Sequence, residues 1–454
     1  MHPILLLLPL VLTATDPSPI TLDEALTAAA SANVDLKFAD NDRTAAGVEA
    51  YASYAGVLPR LDLSASFGAL YTAQSVQNLS VPYIVTNPDG SQGIQYKYSL
   101  QTVPDNFVES YALGLSLQVP IFDGFRNWAT IARTRLLVKA ADKQYDEASL
   151  SVSFDVTRRF YDVVRAERSL LVLEEAVKRS QELVRRTDAL YEGGRAPRSD
   201  TYAARVTLGN DRISAEQQRS RVSDARVALS ISLGREADPK LEVVPPATLD
   251  RTVFQDPPGQ ESLVDLAKRS RPLLSADEQR LLAARQEVRA AHAGYWPSVS
   301  AQASYDRQGP YIAGVQGVYG TFTRQYVASF GVAVNWNLFE GRLTSANVQR
   351  ANVNERRTQL QAEQAMQQVT SEIARSRVGY VTLSTSARLA EENLKAAEES
   401  LKLAERRFDA GAATQLEIRD ALLNLTRAQL TLLTTRIDAI IARADLNRAV
   451  GGAL

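Results

Sequence analysis

Tyr191-Glu192-Gly193-Gly194-Arg195-Ala196-Pro197-Arg198-Ser199-Asp200 and, further along, Phe408-Asp409-Ala410-Gly411-Ala412-Ala413-Thr414-Gln415-Leu416-Glu417 share one spacing. Each has an aromatic residue, a glycine three positions on, and an acid six positions after the glycine. Glycine ends helices because it enters the left-handed region without a Cβ penalty. Ser199 or Thr414 followed by an acid suits the start of the next helix, where free N–H groups and the helix dipole favour both. Each stretch therefore reads as a tight reversal between two helices. The helices are long: Arg126 to Tyr191 is a proline-free run of 66 residues, about 100 Å at 1.5 Å per residue. Arg342 to Phe408 is its twin.

The two reversals belong to a larger repeat. Tyr191 and Phe408 lie 217 positions apart, as do Phe122-Asp123-Gly124 and Phe339-Glu340-Gly341, and Leu233-Gly234 and Val450-Gly451. Upstream, Leu58-Pro59 and Trp296-Pro297 lie 238 apart, so the first copy carries 21 extra residues between Pro59 and Phe122. The chain is one unit written twice: a first repeat over 15–234, a link over 235–260 rich in proline (Pro239, Pro245, Pro246, Pro257, Pro258), and a second repeat over 261–454. Each unit reads helix, two strands, long helix, reversal, helix. The first helix is expected near 21–56, with Thr21 and Glu24 spaced as a capping box.

Strands are expected at 59–75 and 108–121, and again at 297–306 and 325–338, with helical hairpins over 126–234 and 342–450. Leu61, Leu63, Ala65, Phe67, Ala69 and Tyr71 alternate with Asp62, Ser64, Ser66 and Gly68. Tyr111, Leu113, Leu115, Leu117, Val119 and Ile121 form a second apolar row, matched in the other repeat by Val299 to Tyr305 and by Tyr326 to Leu338. Period two is the signature of a strand with one apolar and one polar face. About ten residues is the length of a tilted membrane strand. The rows end in aromatics (Trp296, Trp336, Phe122, Phe339), as at a lipid–water boundary. Leu115 and Val332 are thus expected on lipid, and Ser116 and Asn335 on the lumen or protein. The intervening segments, 72–107 with Asn87-Pro88-Asp89-Gly90 and 306–324, read as long polar loops. Heptad stripes run along Leu394, Ala397, Leu401, Ala404 and Phe408, and along Leu423, Thr426, Leu430, Leu433, Ile437, Ile440 and Ala444, the pattern of coiled-coil packing.

Composition narrows function. The sequence has no cysteine and two histidines, His2 and His292, so no thiolate nucleophile, disulfide or two-His metal site is available. No catalytic, cofactor-binding or metal-ligating set stands out, and His292 beside Gly294-Tyr295-Trp296 reads as a helix-end residue. A net charge of −1 gives no basic excess for nucleic acid. Residues 1–14 form a short apolar run read as a signal peptide, too short to span a bilayer. Four strands cannot close a membrane barrel, which starts at eight, and lipid tolerates no open sheet edge. The chain must therefore assemble with copies of itself. The competing readings are a periplasmic coiled-coil spacer protein with soluble hairpins and, more remotely, a hydrolase on a helical scaffold.

The duplicated unit, the Phe-acid-Gly exits at 122–124 and 339–341, and the run Gly194-Arg195-Ala196-Pro197-Arg198-Ser199-Asp200 resemble the TolC-like outer membrane efflux proteins over the whole mature length. The resemblance implies a mainly α chain with membrane β-strands. It implies a homotrimer whose twelve-stranded β-barrel in outer membrane lipid continues into a twelve-helix coiled-coil α-barrel crossing the periplasm. It implies a passive duct for efflux or type I secretion, docking through its reversals to a periplasmic adaptor and so to an inner-membrane RND or ABC transporter. Gly194, Arg195, Ala196, Pro197, Arg198, Ser199, Gly411, Ala412, Ala413 and Thr414 fall at the docking tips. Asp200, Glu417 and Asp420 fall where the family narrows its entrance with carboxylates; the same acids also complement a helix N-terminus. The basic residue often found after the second glycine is replaced by Ala412 and Ala413, leaving Arg195 and Arg198 as candidate partners.

Overall fold

The computed structural model describes residues 19–247, 249, 254–313, 317–319 and 326–453. The apolar segment 1–14 lies outside them. The chain divides into two compact units, one made of helices and one built on a sheet.

The sheet unit holds Glu49–Thr134 and Ala284–Asn354. Its strands are β1 (Arg60–Thr72), β2 (Ser75–Thr86), β3 (Gln92–Val103), β4 (Asn106–Phe122), β5 (Ser298–Gly309), β6 (Tyr311–Ala313), β7 (Gly317–Tyr319) and β8 (Tyr326–Asn335). β1, β4, β5 and β8 form one antiparallel sheet in that order. Leu63 stands opposite Leu115, Leu115 opposite Tyr305 and Tyr305 opposite Ala328. Residues opposite one another share a face, so this face gathers Leu61, Phe67, Leu117, Val119, Phe330 and Val332. Ser66, Ala112, Ser116, Gln302, Ser304 and Asn335 take the other. The apolar face is open, with Leu63 71 % and Phe330 94 % accessible. Soluble proteins do not leave so continuous an apolar surface uncovered.

The segment 72–107 corrects the reading of a polar loop. β2 and β3 pair antiparallel over their full length, from Ser75↔Val103 to Thr86↔Gln92. The turn lies where Asn87-Pro88-Asp89-Gly90 stands. Gly90 (φ 82) donates its N–H to the Asn87 carbonyl at 2.9 Å, and Asp89 accepts from the Ser91 N–H at 3.0 Å. Alternation was present in Ile94, Tyr96, Tyr98 and Leu100. The polar residues between them, Gln95, Lys97 and Ser99, disguised it as a loop.

The helical unit takes the chain up to Val48, Arg135–Ala283 and from Glu355 onward. The helices of the chain are α1 (Leu22–Ala32), α2 (Val34–Ser53), α3 (Arg126–Glu192), α4 (Arg198–Ser232), α5 (Gln260–Ser270), α6 (Pro272–His292), α7 (Leu343–Asp409) and α8 (Gln415–Ala449), with most of their length in this unit. The single helix expected over 21–56 is broken at Asn33. There Asn33 Oδ1 accepts the Asp35 and Leu36 N–H groups at 2.9 and 3.2 Å and so caps α2. Asn33 Nδ2 donates to the Ser232 carbonyl at 2.8 Å. An asparagine in mid-run looked helical; its side chain competes for the backbone instead. The capping box at Thr21 and Glu24 is formed.

Two core clusters use matching positions of the two repeats, and the first also takes Ile437 from α8. Ala25, Ala29, Val152, Val156, Val163, Leu229 and Leu233 pack in one cluster. The residues 238 or 217 positions later, Leu263, Ala267, Val369, Ile373, Tyr380, Leu446 and Val450, pack in a second. The first cluster adds Phe160 and Tyr161, and takes Leu241 and Val243 from the link. Near the second reversal Leu394, Ala397, Leu401 and Ala404 of α7 meet Ala421, Leu422 and Leu425 of α8. The α7 stripe is the one expected. On α8 the seam near the reversal runs through Ile418, Ala421 and Leu425, whereas Leu423 stays exposed. With leucines at 416, 422, 423 and 425, more than one side of that turn is apolar, and a heptad count alone does not choose between them.

Candidate functional site at the two helical reversals

Both reversals are the same hydrogen-bonded helix end. In the first, Gly194 (φ 67) donates to the Tyr191 carbonyl at 2.9 Å and Arg195 to Leu190 at 2.8 Å. In the second, Gly411 (φ 74) donates to Phe408 at 2.9 Å and Ala412 to Arg407 at 2.8 Å. This is the Schellman pattern, and its left-handed residue is why glycine stands there. The next helices start differently. Thr414 accepts the Glu417 N–H on its hydroxyl at 3.4 Å and caps α8. Pro197 begins α4 with no side-chain cap.

The expected docking residues lie at the surface: Gly194, Arg195, Pro197, Arg198, Ser199, Gly411, Ala412 and Thr414 are exposed, and Ala196 and Ala413 are half-buried. Of the expected entrance acids, Glu417 and Asp420 are exposed and Asp200 is half-buried. Gln415 brings the two reversals together, its Nε2 donating to the Asp200 carbonyl at 2.9 Å and to Thr187 Oγ1 at 3.3 Å.

Within one chain the bases beside these acids are Arg407 and Arg419. Glu417 pairs with Arg407 at 3.2 Å, and Arg407 also donates to the Ala412 carbonyl at 3.1 Å. Asp420 is 3.5 Å from Arg419. Arg198 lies over the Tyr202 ring at 5.5 Å, and no ion pair of Arg195 or Arg198 occurs among the described residues. Arg407 stands before the second glycine rather than after it. It was legible as the residue whose carbonyl the Schellman bond uses, which puts its side chain over the turn. Arg186 was missed too: it pairs with Asp409 and lies 5.4 Å over the Phe408 ring. Deeper in, Arg179, Ser180, Asp211, Arg419, Leu423 and Thr426 line a narrow polar cleft. The Nε atoms of Arg179 and Arg419 are buried there without a hydrogen-bond partner. Burial pulls the Arg179 guanidinium below the usual arginine range.

This arrangement offers exposed turns for contact and a cluster of exposed charged side chains beside them. Among the described residues no group of acids and histidines is placed to hold a metal ion, and no helix is long and apolar enough to cross a membrane.

Comparison with known proteins agrees with the fold. The family model described as Outer membrane efflux protein matches residues 25–235 and 263–452. The chain is 25 % identical over 369 residues to the toluene efflux pump outer membrane protein TtgC of Pseudomonas putida, covering 78 % of this chain and 73 % of that one. It is 23 % identical over 341 residues to the outer membrane efflux protein BepC of Brucella suis, covering 75 % and 72 %. Among solved structures it is similar to a membrane protein from Pseudomonas aeruginosa, with a TM-score of 0.78, 19 % identity, and 95 % and 90 % of the chains covered. It is also similar to the Campylobacter jejuni CmeC outer membrane channel, with a TM-score of 0.77, 19 % identity, and 95 % and 86 % covered.

Proposed function

This chain belongs to the outer membrane efflux protein family, and on that footing we propose that three copies form the passive exit duct of a tripartite efflux or type I secretion machine. One observation carries the reading. The sheet β1-β4-β5-β8 has an open apolar face and, among the described residues, two unpaired edges, a combination that is stable in lipid only once the edges are closed. Three copies supply twelve strands, enough for a lumen, and the long helical hairpins of the three chains supply twelve helices for the periplasmic tube. The exposed turns at Gly194 and Gly411 are the docking tips for a periplasmic adaptor, which connects the duct to an inner-membrane RND or ABC transporter. The duct performs no chemistry; the transporter supplies the energy.

Glu417 and Asp420 narrow the entrance. They stand three apart on α8, hence on one helix face. A three-fold axis gathers six such carboxylates into two stacked rings, which attract cations. Arg407, already on Glu417, is the base that tempers the outer ring. Planar-bilayer recording tests this: Glu417→Ala with Asp420→Ala lowers cation selectivity, and unchanged selectivity returns both residues to helix-end charges. Bulky replacements at Ala196 or Ala412 abolish export while the yield of assembled protein holds. Export that survives them places the adaptor elsewhere.

A further inference from the structure

We propose that β8 of one chain pairs with β1 of a second copy in a register dictated by the internal repeat, with Val334 opposite the partner's Ala65 and Ala333 opposite the partner's Ser66. The inference rests on the closed assembly above and adds which residues meet.

Inside each repeat the offsets reproduce strand pairing without a slip. Arg60 stands opposite Gln118 in β1–β4, and Ser298 opposite Asn335 in β5–β8. Those residues are related by 238 and 217 positions, the offsets read from the sequence. The seam between the repeats is β4–β5, where Leu117 stands opposite Ala303 and Ser116 opposite Ser304. Carried forward 217 and back 238 positions, that seam becomes β8 against the partner's β1. The parity agrees independently. Val334 and Ala65 both lie on the apolar face, and Ala333 and Ser66 both lie on the opposite one. A slip by one residue would turn one strand's apolar row away from lipid.

A close contact beside the strands repeats the pattern. A Cβ added at Gly124 would lie 2.7 Å from the Ala293 carbonyl oxygen and 3.0 Å from Trp296 Cβ, so repeat one fits against repeat two only through a glycine. Its counterpart, Gly341, has nothing within 4 Å. The counterparts of Ala293 and Trp296 are Ala55 and Leu58, and Leu58 is exposed. Gly341 therefore receives the partner's Ala55 and Leu58.

Within the helical unit, charge distinguishes this outer seam from the inner one. Ion pairs join the repeats inside a chain: Arg271 with Glu147 at 2.7 Å, Arg165 with Asp438 at 2.7 Å, and Arg186 with Asp409. The offsets carry them to Asn33 with Gln364, Thr382 with Arg221, and Leu403 with Glu192. None of these is an ion pair. Charge pairing inside a repeat does recur, since Arg219–Glu174 at 2.9 Å becomes Arg436–Glu391 at 3.5 Å. Glu147 thus selects the Arg271 face of its own chain over the Asn33 face of a partner, which keeps first and second repeats alternating around the ring.

The chain has no native cysteine, so disulfide trapping has no background. Directly opposed residues in an antiparallel pair fall within disulfide reach, and residues four positions off register do not. The test uses the full chain in outer-membrane fractions with three double variants: Ala65→Cys with Val334→Cys, Ser66→Cys with Ala333→Cys, and the shifted control Ala65→Cys with Phe330→Cys. The first two are expected to give, on oxidation, reducible bands of two and three chains, and the control none. Linkage of the shifted control, with none in the first two, overturns the register while leaving a closed assembly. The register is equally refuted if no pair links although amine cross-linking still yields three chains. Failure of all three together with a single-chain species overturns the assembly itself.

Discussion

At the break between its first two helices the first repeat places Asn33; at the matching break the second repeat places Arg271, also buried. The backbone around them is the same. Gly234 lies so close to Ala32 that a Cβ would fall 2.3 Å from its carbonyl oxygen, and Gly451 so close to Ser270 that a Cβ would fall 2.7 Å from its carbonyl carbon. The side chains solve the break differently. Asn33 satisfies itself locally with two backbone N–H groups and the Ser232 carbonyl. Arg271 reaches across, grips Glu147 with two hydrogen bonds of 2.7 and 3.0 Å, and donates to the Arg448 carbonyl at 2.7 Å. Backbone approach sets the shared geometry, and the side chain decides which neighbour the repeat recognises.

The largest difference between the repeats is expected at these two residues. Arg271→Ala strands a buried Glu147 and costs about 3–5 kcal/mol, the usual loss on breaking one side of a buried ion pair. Asn33→Ala loses neutral hydrogen bonds and costs about 1–3 kcal/mol. Thermal unfolding in detergent separates the two; equal losses would mean that the charge network adds nothing to the break. Arg271→Met with Glu147→Leu recovers part of the single-variant loss, because a packed apolar pair replaces the buried ionic one while Glu372 and the Arg448 carbonyl still lose their arginine.

The glycines sharpen the comparison by separating close approach from chain reversal. Gly234→Ala meets backbone on top of its left-handed strain, for about 2–3 kcal/mol. Gly411→Ala has open space and carries only the strain, about 1–2 kcal/mol. The ranking reverses if the reversals, rather than the repeat cores, hold the helices together. Smaller still is the asymmetry of the caps. Thr414→Ala removes a cap that the first reversal lacks, for about 1 kcal/mol, read as faster amide exchange confined to the first turn of α8.

The smallest effect is a pH dependence present in one repeat alone. Burial raises the Asp162 pKa above its ordinary value, against the opposing pull of Arg165, whereas its counterpart is Gly379. A carboxyl whose folded pKa is raised binds its proton more tightly in the folded state. Its contribution therefore falls as pH rises from the unfolded value, about 3.9, through the raised one. Asp162→Asn flattens that part of the stability profile. A profile unchanged by the substitution would mean that Arg165, Arg158 and Arg159 offset the burial fully.

Much of this was legible because the repeat states it twice. The alternation from Leu61 to Tyr71 falls on β1, and the two glycine reversals fall on the two Schellman turns. What was not legible depended on which side chain wins a local competition. Asn33 takes backbone N–H groups from a helix that composition alone would continue. Ile94, Tyr96, Tyr98 and Leu100 pair in a hairpin although their polar neighbours resemble a loop. At the second reversal, linear order pointed to Arg195 and Arg198, whereas within the chain the turn folds Arg407 back onto Glu417. That partner is visible only once the hydrogen bonds of the reversal are drawn.

The proposed duct requires that this sheet, incomplete in one chain, close with two more. Native mass spectrometry of the protein extracted from outer membranes in mild detergent tests it directly. The predicted result is one species with the mass of three chains that dissociates only when the detergent is exchanged for a denaturing one. A membrane-extracted protein with the mass of a single chain would contradict it.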